Sequence, residues 1–453
     1  MKKNDLFEIE IDDIDVNGNG VGKKDGFCFF VTGALPGEKV RAKATKINKN
    51  YGFAIVDELL SASPHRREPA CRYYKKCGGC TLQHLSYAAQ LEWKTNQVQN
   101  CIKRIGGLDV PVSFALPAMS EHRYRNKAAF PLGMDELLKI GFYSTRSHTL
   151  VDIDDCLIQN KDVALLVSQL KTWVVHNKIS IYNEKTGKGL LRHAVVRTVK
   201  SGDMMLTLCI NGDDIPFRTD LVSKFQYVLP RLKSIMLSIN KKKDNTILGD
   251  KTVPVYGRDY ITETILGLDF KIGPHSFLQV NSAAAETLYF TLFELLNLTK
   301  SDTVADLYCG AGTITLPAAQ RAKYVYGVEI VPQAVENARD NANMNGIDNV
   351  EFVAGDVQKE LDGVIQKAGT LDAIILDPPR KGLEANVIQS CAATGAKKIC
   401  YVSCNPSTLA RDLAEFTKLG YAVKHVQPVD MFPQTTHVET IILMIKCGLV
   451  DKT

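Results

Sequence analysis

Residues 401–412 read YVSCNPSTLARD, and Cys404 stands where an apolar run stops and a loop begins. A packing cysteine usually lies inside an element and behaves as a small hydrophobe. A cysteine at the carboxyl end of a strand is presented to the crevice where open α/β sheets bind their ligands. There a thiolate can attack, splitting one difficult step into two. Such chemistry needs a group that takes up a proton. Glu439, in THVETIIL, is the candidate, since an apolar setting raises a carboxyl toward neutral pH. Taken alone, Glu439 also reads as a surface charge. Asp377 ends a further apolar run in LDPPRKG, where Pro378 and Pro379 fix φ and hold the loop extended.

A second group of residues points to a cofactor. VADLYCGAGTITL (304–316) is a strand, a glycine turn and a helix start. Gly310 and Gly312 let the backbone approach a ligand at the helix N-terminus. Ile314 and Thr315 stand where the third glycine of a dinucleotide fingerprint would be, so no pyrophosphate is expected. Asp306 leads the turn, as in S-adenosylmethionine sites. The next apolar run ends in Glu329, whose carboxylate can accept both ribose hydroxyls. The third ends in Gly-Asp and places Asp356 to meet an adenine edge. The ordered set reads as an S-adenosylmethionine site; a nucleotide fold with another cofactor is the alternative. Amino-group methyltransferases use a loop like that of Asp377, finished by an aromatic residue. Arg380 stands there instead, which speaks against methylation of an exocyclic nitrogen. A thiolate adding to C6 of uracil would make C5 nucleophilic enough to attack a methyl sulfonium. A base would then remove the C5 proton.

A third group is the cysteine cluster. Cys71, Cys77 and Cys80 give C-x₅-C-x₂-C, and Cys156 follows in VDIDDCLI. Four thiolates suit zinc or an iron–sulfur cluster. Paired C-x₂-C knuckles would favour zinc, and only one is present.

Positioning these groups calls for several elements. From residue 276, helical stretches such as NSAAAETLYFTLFELL alternate with TVADLY, YVYGVEI, VEFVAGD, LDAIILD and KKICYVS. That alternation means βαβ units and a parallel sheet. Residues 7–60 turn often and alternate, which suggests a small β-barrel. In it Lys39, Arg41 and Lys43 share one strand face, opposite Val40, Ala42 and Ala44. That face is either a phosphate track or a solvated exterior. SASPHRREPA (61–70) reads as a linker. Residues 71–156 carry the cysteines and one strong helix, YAAQLEWKTNQVQNCIKRI. LLRHAVVRTV, DMMLTLCIN and SIMLSIN are β-like. The 453 residues exceed one core, and 45% hydrophobic with 23% charged residues fits a globular protein. A net charge of +5 permits an anionic partner without arguing for one. The first residues lack the apolar core of a signal peptide, and no run spans a membrane, so a cytoplasmic protein is expected.

DLYCGAGT, LDPPRKG, YVSCNPSTLARD and HVET together resemble the S-adenosylmethionine-dependent RNA uracil-5 (m5U) methyltransferases. The likeness extends to HSFLQVN (275–281), YRNKAAF (124–130) and the cysteine cluster. VNGNGVG and VTGALPGEKV resemble the TRAM domain, an OB-like RNA-binding barrel. The resemblance implies an α/β chain of three parts: a TRAM barrel over 1–60, an α+β central domain over 61–275, and a Rossmann-like class I methyltransferase domain over 276–453. The helix near 87–105 is expected to pack with the last of these. The resemblance also makes Cys404 the nucleophile and Glu439 the base. Gln279, Tyr308, Glu329 and Asp377 would line the cofactor and uracil pocket. Cys71, Cys77, Cys80 and Cys156 would hold a structural 4Fe–4S cluster. The expected substrate is a loop or bulge uridine of RNA, with 23S rRNA favoured over tRNA because the barrel and cluster are both present. A monomer is expected. A DNA cytosine-5 methyltransferase and a non-catalytic RNA-binding assembly factor are the competing readings. The first lacks its Pro-Cys and Glu-Asn-Val motifs here; the second does not need Cys404 and Glu439.

Overall fold

The structure is a computed structural model and describes residues 1–145 and 147–448. The N-terminal unit is a curled six-stranded sheet, ordered β1-β5-β6-β4-β3-β2. Its strands are β1 (Leu6–Glu10), β2 (Asp13–Ile14), β3 (Asn19–Lys24), β4 (Phe27–Thr32), β5 (Lys39–Ile47) and β6 (Tyr51–Ser61). Inward positions supply a small core of Phe7, Ile9, Phe29, Val31, Val40 and Ala42. Outward, β5 presents Lys39, Arg41 and Lys43, but two of these cations are already paired. Lys39 Nζ lies 2.8 Å from Glu8, and Arg41 bridges Asp57 (2.9 Å) and Glu58 (2.7 Å). The antiparallel registers on β5 set Glu8 of β1 and Glu58 of β6 opposite Arg41, and Glu10 opposite Lys39, which gathers these charges on one face. The face is an ion-paired exterior, not a row of free cations.

The stretch 61–70 is fastened rather than slack. Arg66 forks onto the buried Glu38 and reaches the Gly33 carbonyl at 2.7 Å. Ile14, Leu35 and Leu85 then pack with Ala89 and Trp93, and Trp93 Nε1 donates to the Ile14 carbonyl at 3.2 Å. The barrel is thereby seated on α1 (Tyr87–Arg104).

The central sheet is ordered β13-β12-β11-β10-β7-β8-β9. Its strands are β7 (Lys127–Met134), β8 (Leu138–Tyr143), β9 (Leu150–Asp152), β10 (Leu191–Thr198), β11 (Met204–Ile210), β12 (Leu232–Ile239) and β13 (Lys251–Gly257). Helices α2 (Asp162–His176) and α3 (Arg218–Val228) cover one face around Trp173 and Phe225. A hairpin follows, β14 (Ile261–Ile265) and β15 (Leu268–Ile272). Its two-residue turn, Leu266 and Gly267, takes positive φ at both positions, matching the twist of the strands.

The third sheet holds β16 (Thr303–Leu307), β17 (Tyr324–Glu329), β18 (Val350–Ala354), β19 (Ala373–Leu376), β20 (Lys398–Ser403), β21 (Tyr421–Val429) and β22 (Glu439–Lys446). The order is β18-β17-β16-β19-β20-β22-β21. The first five are parallel, and β22 enters antiparallel to β20 and β21. Its helices are α4 (Ser282–Leu296), α5 (Thr315–Ala319), α6 (Pro332–Met344), α7 (Val357–Ala368), α8 (Ala385–Ala393) and α9 (Pro406–Lys418). The strands are continuous apolar runs because both faces are covered. One face packs on α4 and the β14–β15 hairpin through Leu288, Leu292, Ile265 and Phe270. The other packs on α7, α8, α9 and also α1, through Leu361, Leu409, Phe416, Val98 and Ile102. Among the described residues no helix is long and apolar enough to cross a membrane.

Candidate active site and cysteine cavity

The chain reverses direction in space between β16 and β19, so the carboxyl ends of those strands open into a crevice. After β16 the backbone turns through Tyr308 (φ 71°), Gly310 (φ 55°) and Gly312 (φ 83°). A non-glycine residue with positive φ is uncommon. Here the Tyr308 and Cys309 amides are held by one acceptor, the Val328 carbonyl, at 2.8 and 3.0 Å. A Cβ on Gly310 would meet nothing within 4 Å, so open space lies beside that glycine. Glu329, at the end of β17, accepts from the Gly310 amide (3.1 Å) and the Val331 amide (2.8 Å). Each oxygen keeps a second lone pair for a ligand. Asp356 caps α7 through the Gln358 amide at 2.9 Å and is exposed.

Asp306 lies beneath the turn, fully buried. Its Oδ2 accepts from the Thr315 hydroxyl at 2.5 Å, and its Oδ1 has no partner. Burial, only partly offset by Thr315, pushes its carboxyl up to about 7. An unpartnered buried acceptor among Glu329 and Asp377 fits a cationic ligand, as a sulfonium with its ammonium group would be. Gln279 is nearly buried, and its carbonyl accepts from Asn126 at 2.9 Å. Asn126 also donates to Ser282 and to the Val280 carbonyl, so the YRNK segment fastens the start of α4.

The register of β20 on β22 sets Ser403 opposite Thr440. One residue outward, Cys404 ends one strand as Glu439 begins its neighbour. Burial first, then the charge of Glu439, pushes the Cys404 thiol up to about 11; Arg380 opposes them and Asp377 adds to the rise. Glu439 is 3% exposed, and burial followed by Asp377 raises its carboxyl well above the ordinary value. Burial raises Asp377 to about 7. The loops carrying these groups are tied together. Asn405 caps α9 and donates to the Arg380 carbonyl at 3.2 Å, as does Thr408 at 3.3 Å. The charge of Arg380 therefore acts on both Cys404 and Glu439 at the lip of the sheet. Arg380 is the residue whose part in this group sequence reasoning missed, and only the fold could have supplied it.

Cys71, Cys77, Cys80 and Cys156 all line one cavity of about 340 Å³. Burial raises the Cys77, Cys80 and Cys156 thiols, Cys80 to about 12, and neighbouring cysteines of the group add to each rise. Among the described residues no three His, Cys, Asp or Glu side chains converge tightly enough to hold a single metal ion. The four thiols are a soft donor set around one space. The far wall of the cavity is Phe432, Thr435, Thr436 and His437, the segment leading into Glu439.

Comparison with known proteins agrees with this geometry. The family model described as tRNA (uracil-5-)-methyltransferase matches residues 86–447, and the TRAM domain model matches residues 2–56. An uncharacterised RNA methyltransferase of Clostridium acetobutylicum is 44% identical over 100% of this chain and 99% of its own. One of Halalkalibacterium halodurans is 43% identical over 98% of each. Among solved structures, the Pyrococcus abyssi tRNA (uracil-54, C5)-methyltransferase in complex with S-adenosyl-L-homocysteine superposes with a TM-score of 0.78. It is 29% identical over 96% of this chain and 99% of its own. The chain belongs to the tRNA (uracil-5-)-methyltransferase family, whose members are S-adenosylmethionine-dependent RNA methyltransferases, and it carries a TRAM domain at its N-terminus.

Proposed function

We propose that this protein methylates C5 of a uridine in RNA, 23S rRNA foremost, through a covalent bond between Cys404 and C6. The observation that carries the reading is the pairing of Cys404 and Glu439 on adjacent strand ends, with Asp377 and Arg380 on the loop beside them. S-adenosylmethionine supplies an electrophilic methyl group. Gln279, Tyr308, Gly310, Gly312, Glu329, Asp356 and Asp377 border the space for it, shared with the uracil. The Cys404 thiol gives its proton to solvent and the thiolate sulfur adds to C6; the C5–C6 electrons shift to an enolate, with Arg380 offsetting the negative charge. C5 then attacks the sulfonium methyl, whose bond to sulfur breaks and releases S-adenosylhomocysteine. The Glu439 carboxylate removes the C5 proton, the C5–C6 double bond reforms, and sulfur leaves. A carboxyl raised so far is a stronger base once it is ionised. Because C5 and C6 must be reached from the ring face, the uridine has to leave any stack, so a loop or bulge is the substrate. Cys71, Cys77, Cys80 and Cys156 would hold a 4Fe–4S cluster. The protein acts as a cytoplasmic monomer.

A second reading is methylation of tRNA. It is favoured by the extent of the likeness to the Pyrococcus abyssi enzyme, which acts on uracil-54 of tRNA. Mapping m5U in total RNA with and without this protein decides between them. Loss of m5U from 23S rRNA supports the first reading, and loss only from tRNA supports the second. Transcripts bearing 5-fluorouridine should trap the wild-type chain as a slow, protease-sensitive band on a denaturing gel, since fluorine cannot leave as a cation. If Cys404→Ala still gave that band, the covalent mechanism would be wrong.

A further inference from the structure

We propose that the segment 430–438 is a clamped arm that sets the reach of Glu439, and that Gln90 and Lys94 of α1 are positioning residues for the deprotonation step. This rests on Glu439 being the base. Helix α1 and the arm are distant in sequence but bonded at two levels. Lys94 Nζ lies 2.6 Å from Asp430 Oδ1 and donates to the Phe432 carbonyl at 3.1 Å, with both charged side chains fully buried. One turn earlier, Gln90 and Gln434 grip each other. Gln90 Nε2 donates to Gln434 Oε1 (3.1 Å), and the Gln434 amide donates to Gln90 Oε1 (2.9 Å). Gln434 itself has φ 69°, a conformation that a side chain other than glycine's adopts only when its surroundings impose it.

The opposite jaw is the cysteine loop. The amides of Thr81 and Leu82, directly after Cys80, both donate to the Gln434 carbonyl at 3.0 Å. Tyr124 adds a bond from its hydroxyl to the Pro433 carbonyl at 3.0 Å. The arm thus has partners on both sides until five residues before Glu439, and Phe432 and His437 form part of the cysteine cavity wall. Cys404 has a different foundation, the cap of α9 and its bonds to the Arg380 loop. Nucleophile and base share the pairing of β20 with β22, but the arm leading into Glu439 and the loop carrying Cys404 are anchored on different partners. Loosening the clamp should impair the step that uses Glu439 and leave the step that uses Cys404.

The test separates the two steps in the full-length protein, using the transcript that the wild type methylates. With 5-fluorouridine RNA, only adduct formation is read. With uridine RNA, turnover also requires adduct resolution, and slowing that step makes stalled adduct accumulate. Gln90→Met keeps the side chain's length and apolar stem but loses its bonds to the arm. It should form the fluorouridine adduct at the wild-type rate. Its turnover on uridine RNA should fall by on the order of 10²-fold, the cost of misplacing a reacting group by about 1 Å. The uridine adduct should then become visible. Tyr124→Phe, which deletes one oxygen and keeps the ring, should shift the same ratio in the same direction by less; it keeps the test open if Gln90→Met does not fold. If adduct formation and turnover fell together, or neither changed, the clamp would have no positioning role while the covalent mechanism stood. A wild-type chain forming no adduct would overturn both.

Discussion

At pH 7 roughly one Cys404 in 10⁴ is thiolate, because burial and Glu439 hold its pKa near 11. Adduct formation should therefore rise with pH across the whole range from 6 to 9, with no plateau. Arg380→Gln removes the one cation that lowers the thiol's pKa, so it should slow formation at pH 7 and move the profile further alkaline. Arg380→Lys should restore part of the rate. Rates of adduct formation on 5-fluorouridine RNA against pH check this, and a plateau below pH 8 would contradict it. Asp306 allows a stability test with a definite sign. Its carboxyl lies at about 7 in the folded chain against an ordinary 3.8, so the folded state binds the extra proton between those values. Stability that is fully present at low pH is then lost as pH rises through 7. Melting of the ligand-free protein should fall between pH 5 and pH 8, and Asp306→Asn should flatten that slope. Cys404 and Glu439 could be read from the sequence because strand ends and loop starts punctuate it. Asp306 could be read only as the residue leading the turn. Its orphaned oxygen, like the reach of Arg380 to Cys404 and Glu439, depends on which loops meet, and spacing along a chain does not carry that.

Strands and helices that are long and strongly patterned were the legible elements. YAAQLEWKTNQVQNCIKRI became α1, and the five apolar runs after residue 300 became β16 to β20 in one parallel sheet. Less legible was the pairing of β22 between β20 and β21, since insertion of a late strand between neighbours leaves no local pattern. It is this insertion that brings Glu439 to Cys404. The pattern of β5 gave the face of its lysines and arginine but not their partners, which come from β1 and β6. Lys75 and Lys76, on the cysteine loop, are exposed and, among the described residues, form no ion pair. If RNA runs along that loop, Lys75→Gln with Lys76→Gln should flatten the plot of log affinity against log salt by about 1.4–1.8, the value for two phosphate contacts. Lys39→Gln with Arg41→Gln should change that slope less, because those cations already have carboxylates. Filter binding over a salt series measures both. Equal slopes for the two pairs would remove the distinction.

The barrel and the catalytic sheet meet on α1. Trp93 faces the barrel, Lys94 faces the arm of Glu439, and Val98 with Ile102 joins the core shared with α9. Removing residues 1–60 would uncover Leu85 and Trp93 and strip Arg66 of Glu38. Such a chain should melt well below the intact protein by calorimetry. A loss of RNA affinity after that deletion would then report folding as much as contact. An intact melting temperature would show the barrel to be an independent appendage. The same helix imposes an order in time. Lys94 and Asp430 are 336 residues apart in the chain. At roughly 5–20 residues per second of synthesis, the interval between them is on the order of tens of seconds. Throughout it a buried-type lysine and an apolar helix face wait without partners while the barrel beside them can already close. A ribosome that stalls before residue 430 therefore releases a fragment in which Lys94 lacks its buried partner and β20 lacks β22.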